Sequence, residues 1–166
     1  AASPRLAVSG SGTVALTGES SWADYYFGAS FRNPDDDAVG LVFRWLDADN
    51  HYRFSWDAQR RYRRLAKVVS GQWTLLWEDA VPFRQGLWHD VGIEAEAARL
   101  RVFVDGEELC DVQDISHTHG KVGLYTWESV GVEFDHVLVR PPYEDVASFA
   151  GRTQVGRLEL IGRAPQ

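Results

Sequence analysis

The stretch NPDDDAVGLVFRWLDADNHYRFSWD, Asn33 to Asp57, decides how the chain reads. An aromatic and β-branched run lies between two acid-rich knots, with Asp35, Asp36 and Asp37 before it and Asp47 and Asp49 after it. In HYRFSWD the alternation is strict: Tyr52, Phe54 and Trp56 share one face of an extended strand, and Arg53, Ser55 and Asp57 share the other. Asn, Pro and Asp in the knots are turn formers, so the stretch predicts paired strands closed by DADN, Asp47 to Asn50.

Working outward, the same period of two recurs in TVALTG, DYYFGASFR, YRRLAKVVSG, QWTLLWEDA, LWHDVGIEAEA, RLRVFVDGEEL, KVGLYTW and VEFDHVLVR. Turn formers separate these runs, and Asp105-Gly106 is the pair that a tight hairpin demands. About ten short strands at such spacing predict an all-β, two-sheet antiparallel sandwich. The expected sandwich covers residues 5–140. After it, PPYEDVASFAGRTQVGRLELIGRAPQ reads as a C-terminal extension, residues 141–166: a short helical turn at EDVASFAG, then one alternating run that either packs back as an accessory strand or leads to a neighbouring domain.

The 166 residues suffice for one domain with a substantial core. The single cysteine, Cys110, excludes a disulfide-built scaffold. A net charge of −7 argues against nucleic acid as a partner, and no segment has the length and apolarity of a membrane-inserted helix. The start, AASPRLAVSG, lacks the layout of a signal peptide, and the absence of methionine is what a processed product or a piece of a longer chain would show. Charge is uneven, with Arg53, Arg60, Arg61, Arg63, Arg64 and Lys67 concentrating cations within 15 positions.

The order of these motifs, from DY.F.ASF through DDDAVGLVFRW.DADNHYRFSWD and LRVFVDGE to GKVGLYTW and V.FDHVLV, resembles the concanavalin A-like jelly roll in its laminin-G-like and thrombospondin C-terminal branches. The resemblance implies a jelly-roll fold whose members include lectins, adhesion domains, glycoside hydrolases and polysaccharide lyases. It also implies calcium at Asp35, Asp36 and Asp37, extending to Asp47, with Asp135 in the last sandwich strand as a further ligand.

Read from the residues, the first acidic knot offers several oxygens from one turn, as calcium requires, or is a solvated turn. DADN begins like a calcium loop, but Tyr52 and Ala58 stand where that loop needs Gly and Glu, so a capped hairpin turn accounts for it better. His117 and His119 are two apart without a third partner, weak grounds for zinc. Glu94 and Glu96 are the nearest text to a glucanase carboxylate pair, on what reads as an outer strand where water reaches both. For sugar binding, Arg44, Arg53 and Asp57 point away from the apolar face of their strands, and Tyr125 and Trp127 alternate against Val122 and Leu124. If these sets lie on one sheet they form an aromatic platform with hydrogen-bonding forks, the usual equipment for glycans; otherwise the arginines are satisfied by neighbouring acids.

The expected function is therefore a non-catalytic, calcium-stabilised module that binds a glycan or glycosylated surface, extracellular or at the cell surface, within a larger bacterial protein. The alternatives are a glycan hydrolase or lyase on the same fold, the latter using Tyr125 or His89 as base beside an arginine, or a purely structural domain docked on its neighbours.

Overall fold

The face assignment read in HYRFSWD is the one the chain adopts: Tyr52, Phe54 and Trp56 are buried in the core between two sheets, while Arg53, Ser55 and Asp57 face outward. The structure, a computed structural model, describes residues 12–142 and 159–162. These residues form β1 (Thr13–Thr17), β2 (Tyr25–Arg32), β3 (Val39–Asp47), β4 (Asn50–Asp57), β5 (Tyr62–Val69), β6 (Gln72–Asp79), β7 (Trp88–Glu96), β8 (Arg99–Val104), β9 (Glu107–Gln113), β10 (Lys121–Thr126), β11 (Glu133–Arg140) and β12 (Glu159–Gly162). No helix occurs among them, so none is long and apolar enough to cross a membrane.

Two antiparallel sheets result, one of seven strands in the order β12-β1-β10-β3-β4-β5-β6 and one of five in the order β11-β2-β7-β8-β9. The all-β, jelly-roll-like sandwich is thus as expected. RLRVFVDGEEL divides at Asp105-Gly106, both at positive φ (49° and 84°), into the β8–β9 hairpin. The alternating run near the C-terminus supplies β12, which pairs with β1 and extends the larger sheet. Residues 5–11 of the expected sandwich and the expected helical turn, residues 144–151, lie outside the described residues.

Between the sheets, Leu41, Phe43, Phe54, Leu65 and Leu124 meet Phe27, Phe31, Ile93, Leu100 and Phe134, all with no measurable exposure. Burying one such side chain contributes about 1.5–3 kcal/mol, which explains why one apolar face per strand suffices to organise the fold. Phe31 meets Trp56 edge-to-face at 5.8 Å, joining the sheets near the Phe83 loop. Cys110 is buried, and burial pushes its thiol up to about 12, which keeps it protonated and unreactive.

One polar knot crosses this core edge. The Tyr52 hydroxyl donates to Asp114 at 2.5 Å, the Lys67 ammonium lies 2.5 Å from the other carboxylate oxygen, and the Ser116 amide donates at 2.8 Å. Burial alone would raise the Asp114 pKa, but the bonds from Lys67, Tyr52 and Ser116 together hold it below the usual carboxylate range. A lowered folded-state pKa adds stability above the unfolded-state pKa, and that stability is lost as the pH falls through the folded value. Asp114→Asn should therefore cost about 1.5–3 kcal/mol at neutral pH, the range for hydrogen bonds to a charged group. In denaturant titrations the gap from wild type should narrow below about pH 4. A gap that does not change with pH would refute this account.

Candidate functional site

The outward face of the seven-stranded sheet carries a groove of about 640 Å³ over β4, β5 and β6, with Tyr125 of β10 at one side. Its position follows from register: Tyr125 pairs with Gly40, Gly40 with Ser55, Ser55 with Arg64 and Arg64 with Glu78, one row running across five strands. The Arg53 guanidinium lies over the Tyr125 ring at 4.8 Å, and Arg64 lies over Tyr62 at 3.8 Å while pairing with Glu78. Trp73 of the edge strand β6 and Trp127, just past β10, form further aromatic walls, and Glu128 stands beside Trp127.

The β4–β5 turn returns Arg60 to this face. Asp57, its side chain fully buried, accepts the Arg60 amide at 2.6 Å and its guanidinium at 2.9 Å, so the acid that ends β4 also folds the turn. The same guanidinium reaches Asp37 at 2.9 Å and Glu128 at 3.8 Å. These bonds raise the Arg60 pKa and hold the side chain over the groove. Burial pushes the Tyr125 hydroxyl up to about 12 and raises that of Tyr62.

Of the candidate ligand-binding residues, Arg53, Tyr125 and Trp127 are brought together here. Asp57 lies behind Arg60 as its anchor and is closed to a ligand. Arg44 departs from the expectation. It is fully buried, with Nε and a terminal nitrogen donating to the Ala23 carbonyl at 3.2 and 3.0 Å, and the other terminal nitrogen donating to Ala97 and His117 at 2.9 and 3.1 Å. A bulge between Phe43 and Asp47, with Arg44 at φ 43°, turns it away from the groove and toward the loops at the end of the sandwich.

The basic run also divides. Arg60 and Arg64 line the groove, but Arg63 pairs with Asp79 over Trp56 and Arg61 is an exposed turn residue at φ 55°. Sequence reasoning missed Ser55, Tyr62, Trp73 and Glu128. Ser55 and Tyr62 were readable in part, as outward neighbours of Arg53 and Arg64 by alternation; Trp73 and Glu128 were not.

The acids do not gather as one set. Asp35, Asp36 and Asp37 present oxygens within 4.8 Å of one another, and among the described residues Asp47 and Asp135 do not join them. Asp47 caps its own hairpin, accepting from Asp49 and Asn50, and Asp135 accepts the His136 amide at 2.7 Å. His117 and His119 are also apart in function, one bonded to the Val68 carbonyl and the other to the Ser20 carbonyl, each at 2.7 Å.

Glu94 and Glu96 overturn the expectation of an exposed pair on an outer strand. Their strand, β7, is central to the five-stranded sheet, and Glu94 is 3% exposed and paired with Arg101. Of the two candidate lyase bases, Tyr125 stands beside Arg53 in the groove, whereas His89 belongs to the other sheet, packed on Trp56 at 4.9 Å and 3.1 Å from Asp105.

Residues 6–140 match the family described as the 3-keto-alpha-glucoside-1,2-lyase-like domain. The chain belongs to that family. The sequence resemblance holds at the level of the jelly roll. The chain is also 24% identical over 121 residues to the levanase of Bacillus subtilis (strain 168), covering 70% of this chain and 18% of the levanase. In structure it is similar to the carbohydrate-binding module CBM66 from Bacillus subtilis, with a TM-score of 0.73 at 21% identity over 84% of this chain and 92% of that one. It is also similar to the Caenorhabditis elegans galectin LEC-6, with a TM-score of 0.57 at 15% identity over 81% and 94% of the two chains. These likenesses show the fold.

Proposed function

We propose that this domain is a non-catalytic carbohydrate-binding module whose ligand lies in the groove over β4, β5 and β6. The observation that carries the reading is the row of guanidinium and aromatic groups on one outward face: Arg53 and Arg64 stacked on Tyr125 and Tyr62, with Trp73 and Trp127 as flanks. Rings accept the C–H faces of a sugar while guanidinium forks bond its hydroxyls. Because Arg60 and Arg64 already face Asp37, Asp57 and Glu78, they act as hydrogen-bonding forks and leave little excess positive charge. Likeness to a carbohydrate-binding module and to galectins is consistent with this reading, as is the small share of the levanase that the chain spans. The domain is then one part of a larger extracellular protein.

The family description favours a second reading, catalysis. Against it, Glu128 is the one carboxylate lining the groove among the described residues, whereas retaining hydrolysis needs two about 5–5.5 Å apart. A tyrosine base works best with a pKa near the ambient pH, and burial moves Tyr125 the other way.

Trp73→Ala tests the binding site. Trp73 is 40% exposed, so the fold should survive its loss while retention on a panel of levan, xylan, pectin and β-glucan in affinity electrophoresis weakens about tenfold, ~1.4 kcal/mol. Unchanged retention would remove the groove from consideration. Release of reducing ends or unsaturated sugars by the wild type would replace binding with catalysis.

For calcium, the residues that fit are Asp35, Asp36 and Asp37. Two already have protein partners: Asp35 accepts the amides of Asp36 and Val130 at 2.9 Å, and Asp37 takes Arg60. Bound there, calcium would compete with Arg60 for Asp37, supplying the charge compensation that three adjacent acids require. Melting should rise with calcium and fall back with chelator, by about 2.7 kcal/mol at a hundredfold excess over Kd. An unchanged midpoint in both conditions would discard the metal.

A further inference from the structure

The opposite face of the sandwich has a trough of its own, about 640 Å³, and we propose that it is a second sugar site, binding a single neutral sugar ring. The outward side of the five-stranded sheet would ordinarily be covered by side chains. At its centre, however, Gly28 and Gly92 are directly paired across β2 and β7, and the same row continues to Leu138 on β11 and Phe103 on β8. Two opposed glycines inside strands weaken a sheet and mark a place where something approaches the backbone closely. The Tyr26 ring does so: a methyl group on Gly92 would meet its hydroxyl and lie 2.8 Å from a ring carbon, and one on Gly28 would lie 2.9 Å from another. The ring thereby becomes a flat floor at the level of the sheet, with Leu138, 40% exposed, as one apolar wall and Phe103 as the other, its centroid 6.3 Å from that of Tyr26.

Polar groups close both ends of this floor. At one, Ser30 donates to Asp90 at 2.5 Å and lies 3.4 Å from the His136 ring nitrogen. At the other, the buried Glu94 carboxylate pairs with Arg101, whose Nε is buried without a hydrogen-bond partner; the Arg140 guanidinium lies over the Tyr26 ring itself at 4.2 Å, so ring and cation together form the floor between the apolar walls. Asp90 and Glu94 are four residues apart on one face of β7, about 14 Å along the strand at 3.4 Å per residue. That span holds one sugar ring with room for its hydroxyls.

Two carboxylates against two guanidiniums make the trough close to neutral. Apolar centre and hydrogen-bonding ends match a pyranose or furanose, whose ring faces present C–H groups and whose edges present hydroxyls. Because this trough and the groove lie on outward faces of different sheets, one chain would bridge two glycan strands, and its retention on a polysaccharide would exceed that of either site alone.

The test is a titration of the isotope-labelled whole chain with glucose, galactose, mannose, fructose and N-acetylglucosamine, followed by amide NMR. The expected result is a saturable shift of the Gly28, Ser30 and Gly92 amides with at least one of these sugars. That shift should persist in Trp73→Ala and weaken at least tenfold in Asp90→Asn, with Phe103→Ala as a second variant should the first disturb the spectrum as a whole. No saturable shift at these amides with any of the five sugars would overturn the proposal. So would a shift that both trough variants leave unchanged.

Discussion

Arg44→Ala is expected to be the most damaging single truncation in this domain, lowering stability by about 3–5 kcal/mol. The guanidinium is completely buried and donates to the carbonyls of Ala23, Ala97 and His117, which belong to three separate loops. Removing it leaves those acceptors without donors, at about 1–3 kcal/mol for each that water cannot reach, and opens a cavity. For a domain of this size each kcal/mol lowers Tm by about 2–4 °C, so the melting midpoint should fall by roughly 10 °C or more. Arg44→Lys should recover little of the loss, because a point charge on a flexible stem cannot replace a planar fork bonded on several edges. Equilibrium denaturation checks both variants. A loss below about 1 kcal/mol, the worth of an ordinary hydrogen bond, would mean the loops hold their positions without the clamp.

Gly40→Ala should follow closely, at about 3 kcal/mol, the upper end of overpacking costs. Gly40 lies on the row from Tyr125 to Ser55, beneath the groove. A methyl group there would collide with the Phe54 carbonyl oxygen and lie 2.9 Å from the Ser55 Cα, so relief requires moving the backbone of β4. That strand carries Arg53 and Ser55. Stability and glycan retention should therefore fall together, in contrast to Trp73→Ala, which should reduce retention alone. A Gly40→Ala protein with wild-type denaturation and wild-type retention would show that β3 and β4 are not pressed together as described.

The alternation in HYRFSWD, the turn at DADN and the Asp105-Gly106 hairpin were legible because each depends on neighbours in the chain: side-chain direction in a strand, a carboxylate capping its own turn, residues tolerant of positive φ. Parity placed Arg53 and Tyr125 on outward faces, and the order β10-β3-β4 makes them partners. The same parity misled for Arg44, since a bulge changes which way a residue points; the exposure expected of Glu94 failed for another reason, since nothing local says that β7 is central. Trp73 and Glu128 reach the groove through an edge strand and a loop, for which period two makes no statement.

An all-β chain with defined inward faces and turns follows from the order of residues alone, because both depend on backbone geometry over a few neighbours. Which charges are anchors and which are forks depends on how the strands assemble. Asp57, Arg44 and Glu94 became anchors and Arg53 and Arg60 reached the groove through strand order, register and burial, and those are set by pairings between residues far apart in the chain.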